Sequence, residues 1–155
     1  MTHIHLIQAL ASELKELLSR VKMPTEYAAE PTADNFIAVN IFEQYLPKNL
    51  FEETTYFPFV LVEWLETDDN LKEGATAQIG LTIGVYALEE NGWIDAFYIM
   101  ELVRERLLSK RLIANRFRLA DEINWQVESN QPSPFFILYG TLSYEIFQPQ
   151  ETCRI

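Results

Sequence analysis

Few side chains in this chain have the type and spacing for chemistry. His3 and His5 are its only histidines. Two apart on a helix they point in different directions, so they do not make a zinc pair, and no further histidine exists to complete a site. Cys153 is the single cysteine. It has no internal partner, and near the end of the chain it reads as an incidental thiol. With no histidine elsewhere, Ser–His and Cys–His nucleophilic catalysis is excluded. Asp68, Asp69, Asn70 and Glu73 superficially resemble a calcium loop. Their spacing misses the alternate-position ligand pattern and the glycine of its sharp turn, so a solvated turn is expected. Glu63 lies in an apolar run, where burial would raise its pKa and suit it to acid–base work. No partner for it is identifiable, and the competing reading is a solvated or interfacial strand residue. Gly80 and Gly84 sit inside a strand pattern, the wrong context for a phosphate-binding loop. The expected catalytic, cofactor-binding and metal-ligating sets are therefore all empty.

The 155 residues are 48% hydrophobic and 23% charged, the balance of a soluble globular protein of one domain, residues 1–155. No apolar run reaches the roughly 18 residues of a membrane span. The opening MTHIHLIQALASELKELLSRV is interrupted by Glu13, Lys15, Glu16 and Arg20. It lacks the basic start and continuous apolar core of a signal peptide, and a reducing cytoplasm is the expected place of synthesis. The net charge is −11, which disfavours specific nucleic-acid binding and attraction to an anionic membrane. Clustered cations occur in one place, Arg104 to Arg118. Arg104, Arg106, Lys110 and Arg111 are read as the later turns of a helix, where cations suit the negative end of the macrodipole.

The elements follow from periodicity. Leu6, Leu10, Leu14, Leu17, Leu18 and Val21 recur at three- and four-residue steps, an amphipathic helix over 1–23 stopped by Pro24. Residues 24–36, with two prolines and no period, read as a connector or arm. Ile37, Val39 and Ile41 alternate as a strand closing near Tyr45. Phe59–Leu65 is a nearly continuous apolar strand, suggesting a central place in the sheet. A polar loop, ETDDNLKEGA, then leads to Thr76–Leu88 as a long-looped hairpin. In that strand Ala77, Ile79, Leu81, Ile83 and Val85 share one face. Gly80 and Gly84 on the other leave room for close approach.

A helix from about Ile94 to Leu112 has Asp95 in its first turn and Ala96, Ile99, Met100, Val103 and Leu107 on its inner stripe. Pairs such as Glu101 with Arg104 or Glu105 with Lys110 would assist its outer face only weakly. Ile123, Trp125 and Val127 mark a half-exposed strand, and Phe135–Phe147 the last one. Residues 37–147 thus form a sheet with a crossover helix, and 148–155 a C-terminal tail. The fold class is α+β, a mainly antiparallel sheet of four to five strands with two helices packed on one face. Phe135, Ile137 and Tyr139 lie opposite Phe136, Leu138 and Leu142. The uncovered face should therefore be apolar enough to need a partner.

Several stretches together resemble one family. They are IAVNIFEQYLPKN, YFPFVLVEWLET, IGLTIGVYALEENGWIDAF running into MELVRERLLSKRLIANRFRL, and EINWQVESNQPSPFFILYGTLSYEI. Over roughly Ile37–Phe147 they are similar to the small tail-completion, or tail-terminator and head–tail joining, proteins of long-tailed phages and prophages. The most specific elements are the Phe-Pro-Phe entry to a strand, the Gly-Val-Tyr strand end followed by Asn-Gly and Asp, and the Gln-Pro-x-Pro-Phe-Phe turn. None is a catalytic signature. The resemblance implies a small sheet with helices on one face and a ring of, as a rule, six subunits. That ring stops polymerisation of the tail tube and docks the tail to the head connector, with no catalysis and no cofactor. The implied partners are further copies of the chain, the tail tube protein and the connector proteins, with DNA passing through the ring without being specifically bound. The implied location is the host cytoplasm during assembly, then the head–tail junction of the virion. Asp68, Asp69, Asn70, Glu73, Glu89 and Glu90 are the candidate oligomer or channel surface. As a channel lining they would repel DNA phosphates.

A reading from a different class is a small-ligand or regulatory binding module on a ferredoxin-like sheet. It predicts a monomer or dimer with a closed apolar pocket. A metal-dependent hydrolase is a third reading, but no carboxylate set has a recognisable spacing.

Overall fold

The computed structural model describes residues 1–24, 36–47, 56–87, 91–131 and 134–152. Helix α1 spans Thr2–Leu18. Its leucines at four-residue steps, Leu6, Leu10, Leu14 and Leu18, are all buried, and full burial of each contributes about 1.5–3 kcal/mol. The helix stops at Leu18, one turn before the expected end near Met23. Lys22–Pro24 instead forms strand β1, which pairs antiparallel with β2, Phe36–Ala38. The residue before a proline is pushed toward extended backbone, which ends helical geometry ahead of Pro24. The expected connector therefore has paired ends, Pro24 opposite Phe36. Residues 25–35 lie outside the described residues.

The single strand expected across Ile37–Tyr45 is divided at the buried Val39. After it the chain leaves the ribbon and enters the main sheet as β3, Asn40–Glu43. Strand β3 pairs parallel with β4, Phe59–Asn70. Strand β5, Gly74–Tyr86, follows, then helix α2, Gly92–Ser109. The remaining strands are β6, Leu112–Ile113, β7, Phe117–Val127, and β8, Phe135–Ile146. The order across the sheet is β3-β4-β5-β8-β7-β6, antiparallel except for the first pair. The α+β class holds. The main sheet has six strands where four to five were expected, because β6 and the early part of β7 are too short or too charged to alternate clearly.

Both helices lie on one face. Ala77, Ile79, Leu81, Ile83 and Val85 of β5 join Leu6, Leu10 and Leu14 of α1 and Ala96, Ile99, Val103 and Leu107 of α2 in one buried cluster. The inner stripe expected for α2 is the buried one. The opposite face is not left bare. Phe57, Phe59 and Leu61 form a second cluster with Phe42, Tyr56, Tyr86, Phe135 and Ile137. The segment leading into β4 folds its aromatics over one end of that face, and Gly84 makes room for them. A Cβ at Gly84 would lie 2.8 Å from the Phe57 ring and collide with Phe59.

Candidate interaction surface

The acidic segment is a tight hairpin and not a long loop. Strand β4 runs to Asn70 and β5 begins at Gly74, with Asn70 opposite Gly74. The Asn70 Oδ1 accepts hydrogen bonds from the backbone N–H of Lys72 at 2.9 Å and of Glu73 at 3.0 Å. This side-chain mimic of a turn is the usual role of asparagine here. Gly74 (φ 98°) supplies the left-handed residue that such a short loop requires. Asn70 is thus committed to the turn. Asp68, Asp69 and Glu73 are exposed around it, and the Gln148 amide donates to Asp69 Oδ1 at 3.2 Å. Leu71, at the tip, is 95% exposed. The structure therefore brings together four of the six expected surface residues, while Glu89 and Glu90 lie outside the described residues.

Beyond Trp64, β4 has no strand on its outer side among the described residues. Along this edge runs an open groove of about 380 Å³ lined by His3, Ile4, Ile7, Glu43, Gln44 and Trp64. The two histidines diverge as their spacing predicts. The Nε2 of His3 is 2.8 Å from Thr67 Oγ1 on β4, and Nδ1 of His5 accepts from Arg116 Nη1 at 3.2 Å beside the β6–β7 turn. Among the described residues no group of three or more His, Cys, Asp or Glu is placed to hold a metal ion. No helix there is long and apolar enough to cross a membrane.

The opposite edge is basic. Half of the twelve Lys and Arg residues fall between Arg104 and Arg118. Helix α2 ends at Ser109, so Arg111 lies past it, and Arg116 and Arg118 belong to the β6–β7 hairpin. The expected pairs within α2 do not form. Instead Arg106, at 3.3 Å, and Lys110 both engage Glu13 of α1. Arg111 donates through Nε to the Leu108 carbonyl at 3.1 Å, and the Arg116 guanidinium lies 5.1 Å from the centre of the Phe117 ring. No carboxylate pairs with Arg111, Arg116 or Arg118 among the described residues. Sequence reasoning missed this hairpin. Its one signal was Asn115 between the apolar pairs Leu112–Ile113 and Phe117–Leu119.

On the face away from the helices, Glu63 and Thr141 both pair with Gly80, and Thr82 pairs with Tyr139. Burial raises the Glu63 carboxyl above its ordinary 4.5. The Tyr139 phenol is raised by burial first, then by its hydrogen bond to Glu128 and the negative charges of Glu128 and Glu63. These groups form a polar strip beside the aromatic cluster. The outer side of α2 adds exposed Trp93, Ile94 and Tyr98.

Compared with known proteins, the chain matches no protein-family model and no curated protein sequence.

Proposed function

We propose that this is a structural assembly protein of a long-tailed phage or prophage, one that caps the tail tube and joins the tail to the head connector as a ring. The observation that carries the reading is the sheet's pair of unlike lateral edges, each with exposed apolar side chains. One edge ends in the acidic hairpin with Leu71 at its tip; the other carries Leu112 among arginines. Sheet edges with unpaired backbone are templates for association unless they are covered. Unlike edges suit head-to-tail contacts, the kind that generate rings when the rotation closes. The similarity to tail-completion proteins over Ile37–Phe147 supplies the specific assembly. On this reading the protein performs no catalysis, and its partners are its own copies, the tail tube and the connector.

The binding-module reading requires an enclosed apolar pocket. The apolar groove at the β4 edge is instead open to solvent.

Solution mass across a range of concentration and salt tests the proposal. A concentration-dependent hexamer, or a monomer that forms rings only on tail tubes, is the expected result. A salt-independent dimer that a metabolite stabilises against heat would overturn it.

A further inference from the structure

The geometry points to the contact that joins neighbouring subunits: the Leu71 tip of the acidic β4–β5 hairpin inserts into the arginine-rimmed cleft at the β6–β7 edge of a second copy of this chain. This inference rests on the ring reading, because it takes the occupant of the cleft to be the same protein.

The cleft is an open cavity of about 470 Å³. Leu112, Phe117, Ile146 and Phe147 form its apolar part, and Arg116 and Arg118 are its cations. Leu112 and Phe147 are 37% and 67% exposed. The Glu145 carboxylate also lines it, opposite Arg118 in the strand register.

The hairpin matches these features in kind. Leu71 is an isolated apolar tip, and Asp68, Asp69 and Glu73 around it are exposed carboxylates. In a chain of net charge −11, arginines without carboxylate partners among the described residues are the unusual feature, and an acidic tip is their natural complement. Apolar contact at the centre with charges at the rim is the usual anatomy of a protein interface. Complementary charge selects the partner and its orientation.

Register places the two features for side-by-side repetition. Glu145 pairs with Thr76 on one side and Arg118 on the other, and Ile146 pairs with Ala75. The hairpin tip and the cleft therefore lie at the same end of the strands, the tip toward one lateral edge and Leu112 at the other. Placing the tip of one copy in the cleft of the next requires little translation along the strands, so neighbours sit side by side, and such a head-to-tail contact generates a ring where its rotation closes.

Reciprocal charge reversal and cross-linking test the contact. Asp68→Arg and Arg118→Glu, made separately, should each weaken self-association by at least about tenfold. An equimolar mixture of the two variants should restore it, which also shows that both fold. In a Cys153→Ser background, Leu71→Cys mixed with Leu112→Cys should give a mixed disulfide under mild oxidation. Within one chain, three strand spacings of about 4.8 Å between β5 and β6 are too far to bridge. A wild-type protein that associates while both reversals leave its association unchanged would overturn the contact and leave the ring intact. So would a Leu71→Cys homodimer in place of the mixed disulfide. Arg118→Glu losing affinity for duplex DNA, with self-association unchanged, would assign the basic cleft to nucleic acid and also overturn it. A wild-type chain that stays monomeric at every concentration and on tail tubes removes the ring reading and this contact together.

Discussion

The side-chain amide of Gln44 takes the place of a strand residue opposite Trp64. The Trp64 N–H donates to Gln44 Oε1 at 2.9 Å, and Gln44 Nε2 donates to the Trp64 carbonyl at 3.4 Å. Strand β3 ends here because Gln44 has a left-handed backbone (φ 65°) and turns away from the parallel pairing. Its side chain extends the ladder by one residue, and the free outer edge of β4 begins just beyond.

Gln44→Ala removes both of these bonds from a solvent-accessible position, so water replaces them in part. A loss of about 0.5–1.5 kcal/mol is expected. Amide exchange localises the effect: the Trp64 N–H should lose protection while Val62, paired with Glu43, keeps it. Unchanged exchange at Trp64 would show that the amide does not hold this edge.

Trp125 lies against Gly140, where an added Cβ would fall 2.5 Å from Cζ3 of the indole. The ring packs on the helix-side core, and its buried Nε1 lacks a hydrogen-bond partner among the described residues. Gly140→Ala should cost about 1–3 kcal/mol, because the indole must shift within a packed layer. Adding Trp125→Leu should recover part of the loss. Additive destabilisation in a denaturant double-mutant cycle would contradict this steric account.

Tyr144 is fully buried, and its hydroxyl also has no hydrogen-bond partner among the described residues. Burial and then the Glu13 charge push the phenol's pKa up, so it stays protonated. A buried donor without a partner carries a desolvation cost. Tyr144→Phe should therefore be more stable by about 1 kcal/mol, read as a higher urea midpoint at unchanged slope. A lower midpoint would mean that the hydroxyl has a partner in solution.

Glu63 provides a pH test. Its folded-state pKa lies above the ordinary 4.5, so the folded chain holds this proton more tightly than the unfolded chain does. The contribution is fully present below pH 4.5 and is lost as pH rises through the folded value. Glu63→Gln, neutral throughout, should be more stable than the parent at neutral pH, and the difference should vanish below pH 4.5. Urea unfolding at two pH values measures this. An equal difference at both would show that packing, not ionisation, sets the effect.

Local pattern was enough to read α1, the inner stripe of α2, and the two faces of β5 and β8. Each of these depends on a period of side chains, and Leu6–Leu18, Ala96–Leu107 and Ala77–Val85 repeat cleanly. The acidic residues Asp68, Asp69 and Glu73 were legible as exposed by charge alone. What periodicity could not supply was pairing. The split at Val39, the parallel partnership of β3 with β4 and the Lys22–Pro24 ribbon depend on contacts between distant segments. The aromatic cover over Gly84 also depends on chain path, because Phe57 and Phe59 could pack on either face until β4 took its register. Within the cluster from Arg104 to Arg118, Arg104, Arg106, Lys110 and Arg111 read in sequence as one helix end, and nothing local placed Arg116 and Arg118. Only the turn at Ala114–Asn115, where both residues take positive φ, moves Arg116 and Arg118 onto a separate sheet edge. That long-range placement sets the basic edge against the acidic hairpin at the same end of the sheet.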